Sequence, residues 1–320
     1  MNMQENLITW PDNIYAVDSG FVRPGLAAVH LIVEKGRVAV VDTAHNDSLP
    51  RFLAALAELG LSPEAVDYVF LTHVHLDHAG GSGAYMACLP NARLVVHPDG
   101  ARHMIDPSRL YASTLAVYGP EKTHYLYGEL ITVPADRVIE ASDGQVFSLA
   151  GRLLQCLYTP GHARHHLCLW DERARACFTG DTFGIAYREL YVNGEPFLIP
   201  ATTPTQFDPE VLKDSIRRLL ALQPKVMYLT HFSRVDNVER LGGQLLRRID
   251  DFVALAEAAP GTGEDRKEAI HEAIERYMLA EAFAMSGEGV ASVLSEDMEL
   301  NAQGLSMWVE RRLADNGAKR

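Results

Sequence analysis

Cysteine is scarce in this chain: four residues in 320, at Cys88, Cys156, Cys168 and Cys177. None lies two or three positions from another, so there is no CxxC pair. So few in a chain this long argue against a disulfide framework. Cys156 and Cys168 fall in apolar, strand-like runs (LLQCLY and HHLCLW). A free thiol in such a run is expected to be buried, as a small hydrophobe in a reducing compartment. Long hydrophobic runs are also missing. None approaches the ~18 residues needed to span a bilayer. The N-terminal MNMQENLITWPDN has no charged segment followed by an apolar one, so no signal peptide is expected and the chain is assigned to the cytoplasm. Positive charge is in deficit, with 29 Lys and Arg against 42 Asp and Glu and a net charge of -13. The pI is near 5.4. An acidic surface repels phosphate backbones, which disfavours a general binder of nucleic acid or anionic membrane. A small anionic substrate remains allowed, because a local field can oppose the net charge.

What is present is an ordinary globular composition. Hydrophobic residues make up 48%, enough for a sizeable core without staples. The length suits one large domain or a core domain with an appendage. IYAVDSG, AAVHLIV and RVAVVDTA read as short strands, with Lys35-Gly36 as a hairpin turn. Leu49, Phe52, Leu53, Leu56 and Leu59 recur at helical spacing. DYVFLTH is a strongly apolar strand, Ser82 to Cys88 a short helix, and ARLVVHP another strand. Asp99 to Thr132 reads as helical turns and loops packed over a sheet.

Strand patterns return in RVIEAS, QVFSLA, RLLQCLYTP, HLCLWD and RACFTGD, with Asp143-Gly144 and Ala150-Gly151 as turns. Phe183 to Phe207 is irregular and rich in Pro, Thr and aromatics. Asp208 as N-cap and Pro209 at the first helical position open a helix to about Leu222. KVMYLTH is one more strand. After His231 the β pattern disappears, and Asn237–Ala258, Glu264–Ala284 and Leu300–Ala314 read as helices. The division expected is residues 1–235 as a catalytic domain and 236–320 as a helical extension. Two β-rich halves with intervening helices suggest two facing sheets with helices outside.

The chemistry is concentrated where strands stop. VFLT delivers His73, and within six residues come His73, His75, Asp77 and His78. A tight strand-to-helix turn can aim four metal-capable side chains to one side. Packing alone gives no reason for four adjacent titratable groups beside an apolar strand, where desolvating them would cost several kcal/mol. LLQCLYTPGH ends at His162, ACFTGD at Asp181 and KVMYLTH at His231. Ligands at several strand ends make a rigid floor for a metal site.

Taken together, THVHLDHAGG, TPGH, TGDT and the late LTH resemble the metallo-β-lactamase superfamily over about residues 12–235. The pattern is most similar to the glyoxalase II-like branch, with TPGHARHH and FTGDTFG. The resemblance implies an α/β fold, the four-layer αβ/βα sandwich, carrying a C-terminal all-helical extension. It implies two divalent metal ions, zinc first, with manganese or iron also accepted by such donors. His73, His75 and His162 would hold one ion, Asp77, His78 and His231 the other, and Asp181 would bridge both. Catalysis would rest on Asp77, Asp181 and a metal-bridging hydroxide attacking a small ester, thioester or lactone.

Asp181 stands where class B β-lactamases usually carry Cys, which argues against β-lactam hydrolysis. HxHxDH is not the HxExD of flavodiiron proteins. Phosphodiester or phosphotriester hydrolysis on the same metals, and a mononuclear iron persulfide dioxygenase, stay open as alternatives. His165 stands where the motif has Gly, and His166 matches a His that is generally not a ligand. Asp42, Thr72 and Thr230 are candidates to orient the ligands from behind. The loop after Asp181 offers Tyr187, Arg188 and Tyr191 to a substrate. Trp308 and the spaced Leu residues of the tail suit either a pocket cover or a homodimer interface.

Overall fold

The computed structural model describes residues 7–191, 194–202, 204–286 and 291–318. The first six residues of the N-terminal segment, and residues 192, 193 and 203 of the loop after Asp181, lie outside these. By contact the chain divides into two compact units. The first comprises Met1–Tyr158, His165–Gly180 and Pro224–Asp236; the second comprises Thr159–Arg164, Asp181–Gln223 and Asn237–Arg320. The second unit takes in two segments from the middle of the sequence.

The first unit holds both sheets. One runs in the order β1 (Leu7–Trp10), β2 (Ile14–Asp18), β3 (Ala28–Glu34), β4 (Arg37–Val41), β5 (Val66–Phe70), β6 (Arg93–Val96) and β7 (Val138–Glu140). It is antiparallel from β1 to β4 and parallel from β4 to β7. The other holds β8 (Val146–Leu149), β9 (Arg152–Tyr158), β10 (Leu167–Asp171), β11 (Ala176–Gly180), β12 (Val226–Leu229) and β13 (Ser233–Val235), in the reverse order β13 to β8. Its one parallel pair is β11 with β12. The Lys35-Gly36 turn has positive φ at both positions, as a tight two-residue hairpin requires.

Strand alternation sorts the core. Val38 and Val40 of β4 face α1 (Leu49–Glu58), α3 (Ser82–Cys88) and α4 (Pro98–Ile105), through Phe52, Leu56, Tyr85, Met86 and Met104. Ala39 and Val41 of the same strand face the second sheet, through Phe147, Leu154, Leu169 and Phe178. β4 is therefore apolar at nearly every position, as a strand buried on both faces must be. The short α2 (Leu76–Ala79) follows β5. The sandwich expected from the sequence forms, and helices follow it in the chain.

Asp99 to Thr132 is more regular than expected. It holds most of α4, then α5 (Ser108–Tyr118) and α6 (Pro120–Tyr127). No residue of α5 is fully buried, and its half-buried Leu110 and Tyr118 give only a weak apolar stripe. Gly119 at φ 75 separates it from α6. The β pattern also continues past His231, because Ser233–Val235 pairs with β12 as an edge strand. Three residues are too few to show alternation. Cys156, Cys168 and Cys177 are buried free thiols, whereas Cys88 is exposed.

The second unit contains α7 (Pro209–Ala221), α8 (Val238–Ala258), α9 (Gly263–Ser286) and α10 (Ala291–Ala318). The Asp208 side chain accepts from the Val211 backbone N–H, the cap expected from the sequence. Leu241, Leu245, Ile249 and Phe252 of α8, Ile270, Ile274 and Met278 of α9, and Leu294, Met298, Ala302 and Leu305 of α10 are all buried, at helical spacing. Trp308 is half-buried, with the Arg312 guanidinium 5.4 Å from its ring. Among the described residues no helix is long and apolar enough to cross a membrane.

Candidate metal centre

In the first unit the candidate ligands hang from the C-terminal ends of β5 and β12. β5 stops at Phe70, and His73 and His75 follow in the turn before α2, which carries Asp77 and His78. His231 lies two residues beyond the end of β12. One ligand atom from each of Asp77, His78 and His231 lies within 4.8 Å of the others. The Asp77 Oδ2 atom is 3.3 Å from His231 Nε2 and 3.5 Å from His78 Nε2. His73 Nε2 lies 2.8 Å from His75 Nδ1, with the two rings edge to face. The His73 ring also lies 4.0 Å, centroid to centroid, from that of His78.

Behind the candidate ligands sits Asp42, just past the end of β4 and 1% exposed. Its carboxylate accepts from the Thr72 N–H at 2.8 Å, the Thr72 hydroxyl, the His78 Nδ1 at 2.9 Å and the Thr230 hydroxyl at 2.8 Å. Four donors satisfy a carboxylate that would otherwise be costly to bury. They also tie the ends of β4, β5 and β12 together across both sheets. Asp42, Thr72 and Thr230 are thus joined behind the candidate ligands.

The same hydrogen bonds determine where each proton sits. His231 Nδ1 is 2.8 Å from the Leu26 carbonyl, which can only accept. His78 Nδ1 faces the Asp42 carboxylate. In a neutral ring each Nδ1 thus carries the hydrogen, and each Nε2 presents a lone pair to Asp77. Acceptors then face an acceptor at about 3.5 Å or less. A divalent cation among them satisfies all three, so the donor set fits a metal.

The second unit carries the other two candidates. His162 Nδ1 is 2.9 Å from the Ala201 carbonyl, and His162 Nε2 is 3.4 Å from Asp181 Oδ2. This is the same arrangement: Nδ1 anchored to an acceptor, Nε2 turned to a carboxylate. The chain enters through Gly161 at φ +122, where a Cβ would lie 2.3 Å from the Leu212 backbone at the start of α7. Only glycine allows that approach.

Gly180, which ends β11 and is bonded to Asp181, is equally constrained. Its φ is +47, and a Cβ there would lie 2.6 Å from Thr72 Oγ1 and 2.7 Å from His166 Nε2. His166 stacks on His73 at 4.8 Å. His165 is buried, and its Nδ1 lies 3.4 Å from the Val74 N–H. His97 caps α4 by accepting from the Asp99 N–H, a structural role. His30 packs against the rings of Phe178 and Tyr228, with Nε2 3.3 Å from Ser233 Oγ. Burial pushes its imidazole down to about 4, against a smaller upward pull from the Asp42 charge.

Of the substrate-loop candidates, Tyr187 is buried and its hydroxyl donates to Asp297 at 3.2 Å. Arg188 is exposed and Tyr191 half-exposed. The carbonyls of Leu26 and Ala201 were not legible in the sequence, because a backbone acceptor has no residue signature. A cavity of about 480 Å³ lies elsewhere, at the opposite ends of the strands beside Lys35, Gly151 and Arg152. It plays no part in this centre.

Residues 22–231 match the family model of the metallo-beta-lactamase superfamily. The chain belongs to that superfamily. It is 29% identical over 223 residues to a metallo-beta-lactamase fold-containing protein of Sulfurisphaera tokodaii, covering 68% of this chain and 77% of that one. It is 26% identical to an atrochrysone carboxyl ACP thioesterase of Aspergillus fumigatus, covering 68% of this chain and 51% of the other. A hydroxyacylglutathione hydrolase of Francisella tularensis subsp. novicida is 26% identical over 153 residues, 48% of this chain and 46% of the relative. The chain thus spans about half the length of these two.

Among solved structures, the archaeal superfamily protein from Sulfolobus tokodaii aligns with a TM-score of 0.65 at 25% identity, covering 92% of this chain and 98% of that one. A family protein from Thermus thermophilus aligns at 0.67 with 20% identity, covering 94% of each chain, and shares the fold.

Proposed function

We propose that this superfamily member is a dinuclear hydrolase of a small ester, thioester or lactone. His73, His75 and His162 would hold one ion and Asp77, His78 and His231 the other, with Asp181 bridging. The observation that carries the proposal is the common anchoring of His78, His231 and His162. Each presents Nε2 to a carboxylate because an acceptor holds its Nδ1. Chain connectivity adds support, since Asp181 is bonded to Gly180, which packs on Thr72 and His166.

Divalent ions held there, zinc first and manganese or iron by the same donors, would supply a Lewis acid and would lower the pKa of water toward neutrality. Asp77, with a side chain 25% exposed, is the carboxylate that can accept a proton from the attacking water. Asp42 would hold His78 in one tautomer, and the Leu26 carbonyl would do the same for His231. No Ser or Cys nucleophile is required. Arg188 and Tyr191 are the residues proposed to meet the small-molecule substrate. Tyr187 joins them to the extent that its hydroxyl can leave Asp297. The relative named as an ACP thioesterase puts thioesters first among the three bond types.

The test is elemental analysis of the full chain, then a thioester, ester, lactone and phosphodiester panel on metal-loaded protein. Two metals per chain and cleavage of a carboxylic ester or thioester are expected, with both lost in Asp181→Ala and His75→Ala. Unchanged metal content and hydrolysis in those variants would overturn the proposal. One iron per chain with oxygen consumption would do so equally.

A further inference from the structure

The C-terminal helices lie beyond residue 231, where the match to the family model ends. Two of them nevertheless bind the segment that follows Asp181. Arg248 of α8 donates to the Leu198 carbonyl and lies 4.2 Å over the Phe197 ring. From α10, Asp297 accepts from Tyr187 and Arg311 donates to the Phe207 carbonyl at 2.7 Å. Between these points is the peptide unit joining Ala201 and Thr202. Its N–H donates to Asn301 Oδ1 at 2.7 Å, and its carbonyl accepts from His162 Nδ1 at 2.9 Å. The Thr202 hydroxyl adds a second bond to Asn301, 2.7 Å to Oδ1 and 3.0 Å to the backbone oxygen. His162, Ala201, Thr202 and Asn301 are all buried.

We infer that Asn301 of α10 is a positioning residue for His162, acting through that single peptide unit. This rests on the reading of His162 as a metal ligand. A peptide unit is planar, with its N–H and C=O pointing in opposite directions. Fixing the N–H at Asn301 therefore fixes the direction of the carbonyl at His162. The carbonyl in turn holds the imidazole in the tautomer that leaves Nε2 for the metal. Because the bonds run in series in a buried setting, each polarises the next. The helical tail thus acts on the centre from behind a ligand, which is a role separate from covering a pocket or joining two copies.

The test uses the full chain loaded with cobalt(II), reading stoichiometry by dialysis and coordination by visible absorption. Asn301→Leu is expected to weaken one of the two ions about 10-fold and shift the spectrum toward that of His162→Ala. Asn301→Asp keeps an acceptor at the same place and is expected to restore both. Thr202→Val removes only the hydroxyl bond and gives a smaller change in the same direction. It carries the test if Asn301→Leu does not fold. Wild-type affinity and spectrum in folded Asn301→Leu, or in Thr202→Val when that variant stands in for it, overturn the inference. So does equal loss in Asn301→Leu and Asn301→Asp. If His162→Ala itself binds two ions with the wild-type spectrum, the ligand reading fails and the inference falls with it. If His162→Ala loses an ion while Asn301→Leu does not, only the inference fails.

Discussion

Asp42 Oδ2 lies 2.9 Å from His78 Nδ1, with both residues at most 1% exposed. The same carboxylate accepts from Thr72 and Thr230. One side chain therefore orients a candidate ligand and fastens three strand ends. Asp42→Ala leaves several buried donors unsatisfied. A stability loss of about 3 kcal/mol is expected, with metal affinity reduced about 10- to 100-fold. Urea unfolding and metal titration measure the two. A loss of stability with metal affinity unchanged would confine Asp42 to folding.

Gly180→Ala places a methyl group 2.6 Å from Thr72 Oγ1, in a left-handed backbone conformation that favours glycine. Thr72 cannot retreat without leaving Asp42. The variant is expected to lose about 1–3 kcal/mol and to bind less metal. Thermal unfolding and elemental analysis check this, and a variant with wild-type values in both would show that the strand end has room.

His30 has a folded pKa of about 4 against an ordinary 6.5, because burial disfavours its charged form. Below pH 6.5 the unfolded chain binds a proton that the folded chain refuses. The neutral ring's contribution is thus complete above 6.5 and is lost as pH falls toward 4. It amounts to roughly 3 kcal/mol across that window. The test compares urea unfolding of wild type and His30→Gln at pH 7 and pH 5. Carboxylates and ligand histidines titrate in both proteins and cancel in the comparison. Wild type should lose more stability than the variant, and equal slopes would remove His30 from the acid limb.

Metal removal should destabilise the chain, because ions bind only where the ligands are assembled. At a free metal concentration 100 times Kd the linkage is about 2.7 kcal/mol per site. A chelator is therefore expected to lower the melting temperature, and zinc or manganese to restore it. Identical melting curves with and without chelator would argue against a resident ion.

The sequence by itself determined the candidate donors and the strands that carry them. His73, His75, Asp77 and His78 are close in any fold, since a strand end and one helical turn hold them. The strands were legible because burial on one or both faces imposes an apolar pattern on β3, β4, β5, β9 and β11. Helix α5 was not legible, because none of its residues is fully buried, and β13 was not, because its three edge residues are too few to show alternation.

Tertiary structure alone decided which atom of each ring is offered to a metal. That choice depends on what faces the other nitrogen: the Asp42 carboxylate for His78, the Leu26 carbonyl for His231 and the Ala201 carbonyl for His162. Two of these acceptors are backbone oxygens, which every residue possesses, and all three lie far from their histidines in sequence. Asn301 was silent for the same reason. Its effect on His162 passes through a peptide unit about a hundred residues away, and no local pattern records a contact that only folding creates.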